Sequence, residues 1–244
     1  MTGWHKGPML AFDTESCGLP AHDTAAVQIG LARLNYPGTA GPVCHTWLVN
    51  PGRPIHPEAV KVHGITDEMV QAEGKPYAET LEQVAAAVID HLRHGWPLIV
   101  FNGSFDCTLL EAELTRLGLP TITGTVGRFA PVIDPFVLDK RLSRRKGSRK
   151  LVDQCAHYQV RIDGAHDAGA DALAAARVAW RIAETYPAVA QADVFDLHQE
   201  QIHWHQEQKD SLRAYFDGKG ITHDGCDGRW PVQLPVLTEQ RVAS

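Results

Sequence analysis

Apolar residues in the first fifty positions are spaced as in β-strands. A short apolar run, Met9–Phe12, ends on Asp13, and the alternating segment Ala26–Leu34 follows it as a hairpin partner. A third strand is expected at Val43–Val49. The amino-terminal part of the chain therefore predicts three strands that can pair in antiparallel fashion.

The middle of the chain changes to helical spacing and then alternates helices with strands. One predicted helix ends at Gly95 and Pro97, ahead of the apolar strand Leu98–Phe101. The next is expected to begin with Ser104 as its N-cap and to stop at Gly118. Two more helices are predicted over Leu151–Tyr158 and Asp171–Ala183. This order of elements indicates a mixed α/β fold.

The sequence changes character after Pro187. A long polar helix rich in Gln and His is expected there, and the glycines and prolines beyond Gly218 indicate an irregular tail. We therefore expect two parts. Residues 1–186 form the main domain, and residues 187–244 form a carboxyl-terminal helical extension with its tail.

The composition is typical of a soluble globular protein, with 44% hydrophobic and 21% charged residues. No apolar run approaches the roughly 18 residues that span a bilayer, and Met1–Leu10 lacks a secretory signal, so a cytoplasmic protein without a membrane partner is expected. Five cysteines without a Cys-x-x-Cys pair argue against a disulfide framework. No standard zinc spacing appears among His198, His203, His205, His223 and Cys226.

Positive charge is concentrated in one short run. The net charge is -6, but Lys140–Lys150 contains seven basic residues and no acidic one, so the rest of the chain carries -13. Such a run is either a solvated surface or a place where phosphate groups bind. The sequence thus predicts a local cationic patch on an acidic body.

Acidic residues stand where predicted elements begin or end. Asp13 and Glu15 lie two apart at the end of the first strand, so both side chains project from one face, with backbone positions roughly 7 Å apart. Carboxylate oxygens are the ligands that Mg²⁺ and Mn²⁺ prefer, so this pair suits a metal site. Each acid also has an ordinary explanation. The first two can be solvated turn residues, Asp106 can favour a helix dipole, and Asp167 can be an N-cap.

Four segments carry a joint pattern. They are Phe12-Asp13-Thr14-Glu15 with Gly18-Leu19, His63-Gly64-Ile65-Thr66, Asn102 through Asp106, and His166 with Asp171 five positions later. In this order, over about residues 8–186, they resemble the DEDD exonuclease superfamily. The resemblance is greatest to the DEDDh subclass of this superfamily. That subclass contains the DnaQ-like enzymes, namely the proofreading epsilon subunit of bacterial DNA polymerase III and its relatives. It implies an RNase H-like fold, with a mixed five-stranded sheet flanked by helices.

The resemblance also implies a reaction. A 3′→5′ exonuclease of this kind releases nucleoside 5′-monophosphates from single-stranded DNA ends, in proofreading or repair, with two divalent cations, Mg²⁺ or Mn²⁺. Asp13 would bridge both ions. Glu15 and Asp171 would complete the ion that holds the attacking water, and Asp106 would help hold the other. His166 would take the proton of the water, because imidazole has an ordinary pKa of about 6.5 and can be neutral at working pH.

Substrate contacts follow from the same resemblance. Thr14 and Leu19 are expected to line the pocket for the terminal nucleotide. His63 and Phe105 are expected to contact its sugar or base, and Asn102 to orient the penultimate nucleotide. Stacking on an aromatic ring tolerates any base, which suits an exonuclease. Phe105 can instead be a core residue at the start of its helix.

Two other functions stay open from the sequence. An oligoribonuclease-like or RNA-trimming enzyme of the same fold would differ in its contacts to the 2′-hydroxyl group, which sequence does not reveal. An inactive nucleic-acid-binding module would be expected to lack an acid or the histidine, and all five are present. Ser16 and Cys17 replace threonines that are usual in the family. The region after Pro187 does not resemble the flexible polymerase-binding tail of the proofreading subunit.

A short segment near the carboxyl terminus suggests a protein partner. Gln233-Leu234-Pro235-Val236-Leu237 resembles the peptide by which many bacterial replication and repair proteins bind the sliding clamp. Such tethering would raise the effective concentration of an exonuclease beside primer ends. The alternative is that Val236 and Leu237 fold back onto the helical extension.

Overall fold

The computed structural model describes residues 3–162, 164, 166–223 and 226–234. In this part of the chain the strands are β1 (Met9–Ser16), β2 (Ala26–Leu34), β3 (Val43–Asn50), β4 (Lys75–Pro76), β5 (Leu98–Ile99) and β6 (Val132–Ile133). The α-helices are α1 (Pro57–His63), α2 (Asp67–Glu73), α3 (Tyr77–Arg93), α4 (Ser104–Arg116), α5 (Ile122–Val126), α6 (Pro135–Leu142), α7 (Leu151–Tyr158), α8 (Ala168–Thr185), α9 (Pro187–Gln191) and α10 (Val194–Lys219). None of the described helices is both long enough and apolar enough to cross a membrane.

The strands form one mixed sheet in the order β4-β3-β2-β1-β5-β6. β1, β2 and β3 pair in antiparallel fashion, and β5 and β6 extend the sheet in parallel. The predicted RNase H-like α/β fold is confirmed. Within the described residues the sheet has six strands rather than five, because Lys75–Pro76 pairs with the end of β3.

The two faces of β1 belong to two different cores. Leu10 and Phe12 pack in a core with apolar side chains of α3 and α4. Met9 and Ala11 pack in a second core with the alanines of α8. Side chains alternate along a strand, so this parity places Asp13 and Glu15 on the α8 side of the sheet and Thr14 on the α4 side.

Several predicted boundaries move in the structure. The apolar run of β1 stops at Phe12, but the strand continues past Asp13 and Glu15, which were expected at its end, to Ser16, since β2 pairs with it over that length. β5 is shorter than the predicted Leu98–Phe101, because the chain turns before α4. Ser104 is not an N-cap. It is the first residue of α4, and the preceding Gly103 supplies no side-chain cap.

Helix α10 packs along the β6 side of the sheet. From α10, the Gln201 side chain donates to the carbonyl of Val132 at 3.0 Å, and the Val132 N–H donates to Nδ1 of His198 at 3.1 Å. His205 contacts the Gly228 carbonyl at 2.9 Å through Nδ1. These two buried histidines therefore bind backbone groups. Of the clamp-like peptide, residues 235–237 lie outside the described residues.

Candidate active site

The first turn of α8 lies directly against the sheet beside the acids of β1. A Cβ added to Gly30, which pairs with Asp13, would stand 2.2 Å from the carbonyl of Ala168. A Cβ on Gly169 would stand 2.2 Å from Oγ1 of Thr46. Gly30 and Gly169 thus permit a close approach of α8 to the sheet that no larger residue would allow. This close approach brings Asp171 of α8 to the acids of β1.

Hydrogen bonds fix the same junction. The Ala168 N–H donates to the side-chain oxygen of Gln28 at 2.8 Å, and Gln28 pairs with Glu15 across the sheet. Asp167 accepts from the Ala170 N–H at 3.0 Å, so it is the N-cap that the sequence suggested. α8 begins three residues before its predicted start at Asp171, which lies in the first turn.

Asp106 reaches β1 from the opposite side. It is buried in the first turn of α4, and its Oδ1 accepts from the backbone N–H of Thr14 at 2.9 Å and from its hydroxyl at 2.6 Å. The Thr14 hydroxyl is therefore engaged with an acid of the cluster as well as lining the cavity described below. The first turn of α4 and β1 are held together at the point where Asp106 approaches Asp13.

His166 and Asp171 lie next to each other at the entrance of α8. The backbone N–H of His166 donates to Oδ2 of Asp171 at 3.2 Å, and the histidine has a left-handed φ of 68° with an exposed side chain. Metal-binding atoms of Glu15, His166 and Asp171 all lie within 4.8 Å of one another. The turn therefore presents an imidazole to two of the carboxylates.

The four acids share one electrostatic environment. Burial raises the pKa of Asp13 well above its usual range, and Asp106, Asp171 and Glu15 raise it further. Burial, with Asp171 and Asp106 nearby, raises the pKa of Glu15 to about 8. Burial raises the pKa of Asp106 to about 7 against hydrogen bonds from β1 that lower it, and burial also raises the pKa of Asp171. Ionised carboxylates here repel one another, so a cation would be stabilised among them.

The donor set suits a hard divalent cation. Oδ1 of Asp171 is buried and has no hydrogen-bond partner among the described residues. A buried carboxylate oxygen without a donor is costly unless a cation or water reaches it. Several carboxylate oxygens together fit Mg²⁺ or Mn²⁺ better than a soft metal, which prefers thiolates.

A cavity of about 540 Å³ adjoins this cluster and reaches Glu15. Its lining includes four of the predicted substrate-binding residues, Thr14, Leu19, His63 and Phe105, together with unpredicted residues of α1 such as Val62. Leu19 is 82% exposed and Val62 58% exposed, so apolar surface faces the opening. Phe105 also packs against the core, as its alternative interpretation expects, while its contact with a nucleotide stays a prediction.

His63 is held in one tautomer at the wall of this cavity. Its Nδ1 accepts from the Ile65 N–H at 3.0 Å, so the proton resides on Nε2, which donates to the carbonyl of Ser16 at 3.1 Å. Burial lowers the pKa of His63. The ring is therefore a neutral, fixed part of the wall.

Asn102 lies on an exposed turn outside the lining of this cavity. The turn is held by Asp134, which was not among the predicted site residues. Asp134 is 1% exposed, and its two oxygens accept from the N–H groups of Asn102 and Gly103 at 2.9 Å each. Its own N–H donates to the side chain of Gln201 at 2.7 Å. The only sequence signal for a role of Asp134 was its position directly before Pro135 at the start of a helix. As the N-cap of α6, Asp134 also accepts a hydrogen bond from the Phe136 N–H.

The cationic run is only partly a free surface. Asp139 is fully buried, and it pairs with Arg145 at 2.9 Å and also with Arg149. The hydroxyl of Tyr158 donates to the same carboxylate at 2.8 Å. Two arginines of the run thus build the loop after α6, while Arg144, Lys146 and Lys150 are exposed.

The model of the RNase_T exonuclease family matches residues 10–179, which contain all four acids and His166. DNA polymerase III PolC-type of Streptococcus pyogenes is 27% identical over 176 residues, or 71% of this chain and 11% of the polymerase. The PolC-type polymerase of Streptococcus agalactiae is 26% identical with the same coverage. The chain therefore spans about a tenth of the length of these relatives.

Two solved structures extend the likeness to three dimensions. E. coli exonuclease I in complex with a dT13 oligonucleotide gives a TM-score of 0.60 at 17% identity, covering 74% of this chain and 42% of that one, and shows the shared fold. Exonuclease X in complex with 5′ overhanging duplex DNA gives a TM-score of 0.51 at 25% identity. The match covers 78% of this chain and 99% of that one. With its fold, its acid cluster and the family match over residues 10–179, the chain belongs to the RNase_T exonucleases, the DnaQ-like family that its motifs resemble.

Proposed function

We propose that this chain is a metal-dependent 3′→5′ exonuclease that releases nucleoside 5′-monophosphates from single-stranded DNA ends. The observation that carries the proposal is the cluster of four carboxylates beside a cavity of about 540 Å³. Family membership and two similar DNA-bound exonucleases support it. DNA rather than RNA is favoured by those two complexes and by the polymerase relatives.

Two Mg²⁺ or Mn²⁺ ions would be held by Asp13, Glu15, Asp106 and Asp171. When bound, such ions lower the pKa of water and neutralise charge on the phosphate and on the departing oxygen. The unpartnered Oδ1 of Asp171 supports this assignment, and so does Glu15, whose pKa is raised to about 8 by burial and by neighbouring acids, since a bound cation would stabilise the ionised form of both carboxylates.

His166 would act as the general base. Its exposed side chain lies next to Asp171 and Glu15, within reach of a water between them. Water oxygen attacks phosphorus, its proton passes to the imidazole, and the bond from phosphorus to the 3′ oxygen breaks. The 3′ oxygen then takes a proton from solvent, and the imidazolium releases one. The products are a nucleoside 5′-monophosphate and a strand shortened by one nucleotide.

The cavity beside the cluster would hold the terminal nucleoside. Leu19, Val62 and Phe105 offer apolar contact that any base can use. His63 supplies a wall that stays neutral, because burial lowers its pKa. Asn102, on the exposed turn before α4, would orient the next nucleotide.

We propose that residues 1–186 form the exonuclease domain and residues 187–244 its carboxyl-terminal extension. Gln201 and Trp230 of the extension both contact Asp134, so the extension supports the turn that leads to Asp106. The backbone N–H of Gln233 donates a hydrogen bond to Oγ1 of Thr108 at 2.8 Å. Binding of a sliding clamp through Gln233 would therefore require this hydrogen bond to break first.

The test is a nuclease assay on 5′-labelled single-stranded DNA and RNA with Mg²⁺, Mn²⁺ or EDTA. We expect a ladder that shortens from the 3′ end of DNA, requires metal and yields 5′-monophosphates. Asp171→Asn should abolish it, His166→Ala should lower the rate by roughly 10² to 10⁴, and exposed Asp90→Asn should not change it. Shortening of RNA alone would favour the RNA-trimming alternative. No shortening of either polymer would reject the proposal.

A further inference from the structure

A second cavity, of about 380 Å³, lies on α8 away from the acid cluster. Its lining is mainly apolar and basic, and includes Leu34, Val160, Arg161, Arg177, Trp180 and Arg181. Arg177 is six residues beyond Asp171, or about 9 Å along the helix. None of these residues belongs to the lining of the cavity beside the acids.

The basic side chains converge because of helical spacing. Arg177, Trp180 and Arg181 stand three and four positions apart on α8, so they share one face of the helix. Like charges four residues apart on a helix repel each other. The end of the segment after α7 adds Arg161 to the same cavity. This concentration of positive charge is therefore unfavourable for the helix alone.

Backbone carbonyls, not carboxylates, accept the hydrogen bonds that hold two of these arginines. Arg177 donates through Nη1 to the carbonyl of Arg161 at 3.3 Å, and Arg181 donates through Nε to the carbonyl of Tyr158 at 3.0 Å. The lining of this cavity contains no acidic residue among the described residues. Glu184, one turn after Arg181, instead pairs with His5 at 2.8 Å and with Lys6.

We propose that this cavity binds a nucleoside monophosphate group. Guanidinium groups form paired, charge-assisted hydrogen bonds to phosphate oxygens. The Lys6 ammonium lies 4.3 Å from the centroid of the Trp180 ring, and the part of this indole that lines the cavity offers apolar surface to a base. The volume lies within the usual range for small-ligand pockets, roughly 300 to 1,000 Å³. The group can come from a free mononucleotide or from a nucleotide within a strand. No residue of the proposed catalytic site takes part, so either proposal can fail without the other.

The test titrates the full chain in EDTA with dAMP, deoxyadenosine and inorganic phosphate, by calorimetry and tryptophan fluorescence. EDTA keeps the acid cluster free of the metal ions that would otherwise bind phosphate there. We expect saturable dAMP binding that is tighter than binding of either fragment. Arg177→Gln with Arg181→Gln should weaken it at least about tenfold. The control Lys75→Gln with Arg93→Gln removes the same charge from exposed positions and should not.

Further variants test which side chains of the second cavity contact dAMP. Trp180→Phe should remove the fluorescence change, since the chain contains six tryptophans and, among the described residues, only this one lines the cavity. Arg177→Lys and Arg181→Lys keep the charge but remove the paired donors, and should weaken binding even if the double Gln variant does not fold. Competition by a short dT strand would identify a strand nucleotide, and its absence a free one. Equal affinity for phosphate and dAMP, equal weakening in the control, or no saturation by about 10 mM would overturn the inference.

Discussion

Trp230 donates its indole N–H to Oδ2 of Asp134 at 3.4 Å, although 96 residues separate the two in sequence. The same carboxylate accepts the N–H groups of Asn102 and Gly103. Asn102 has a left-handed φ of 52°, so the turn into α4 adopts a backbone shape that needs support. One buried carboxylate thus joins the carboxyl-terminal segment to the turn that positions Asp106.

Asp134→Asn should therefore weaken both stability and catalysis. The amide replaces an acceptor oxygen by a donor, which leaves a buried N–H without its partner and costs about 1–3 kcal/mol. We expect a lower urea midpoint and a kcat reduced more than KM is changed, because the turn leads to Asp106. Trp230→Phe should have a smaller effect on both. Wild-type unfolding and kcat in Asp134→Asn, with Asp90→Asn as the matched control, would contradict this role.

Gly30→Ala should displace the start of α8. The new Cβ would lie 2.2 Å from the Ala168 carbonyl, so helix or strand must shift, at a cost of about 1–3 kcal/mol. Because Asp171 lies one turn further along, the rate of DNA hydrolysis should fall with the melting temperature. Gly41→Ala is the control, since its Cβ would meet no atom within 4 Å. Equal behaviour of the two variants would show that the close approach is unimportant.

Metal-free protein should become less stable as pH rises from about 6.5 to 8.5. Burial and neighbouring acids raise the pKa of Glu15 to about 8, and burial raises that of Asp106 to about 7. The folded state then binds protons more tightly than the unfolded chain, so stability present at low pH is lost as pH rises through these values. Melting temperatures in EDTA test this, and Mg²⁺ should flatten the slope.

The lower limit of that window is set by histidines. Burial lowers the pKa of His91 and of His198 to about 4, so below their ordinary value of about 6.5 these two histidines bind more protons in the unfolded chain and contribute a slope of the opposite sign. Glu15→Gln should reduce the slope above this limit. A melting temperature that is constant or rises with pH in EDTA would refute the effect.

The cationic run should separate into two classes of residue. Replacing Arg144, Lys146 and Lys150 by Ser should weaken single-strand binding and reduce the salt dependence by about 0.7 in slope for each phosphate that is no longer neutralised, with stability unchanged. Arg145→Ser with Arg149→Ser should instead destabilise the fold, since it leaves the buried Asp139 without its cations, typically at about 3–5 kcal/mol. Binding and slope unchanged in the first variant would identify a merely solvated surface.

Local periodicity was enough to predict the main elements. The long segments β1 to β3, α3, α4 and α8 contain several repeats of a two- or 3.6-residue pattern, and the order of their motifs indicated the fold and the acids. Elements such as β4, β6 and α5 have two to five residues, too few to show a period. They were therefore missed.

Only the tertiary structure decided which side chains meet. The sequence around Asp134 indicates only a helix N-cap, and nothing local distinguishes Gly30 from other glycines, because their roles beside the acids depend on atoms more than thirty positions away. Arg145 and Arg149 lie only six and ten positions from Asp139, yet a charge count assigns them to the surface, and only the structure shows that the buried Asp139 binds them. Sequence thus determined the candidate chemical groups and the fold that carries them. Packing determined their neighbours, since contacts between distant segments follow from how elements fit together and not from the pattern within any one of them.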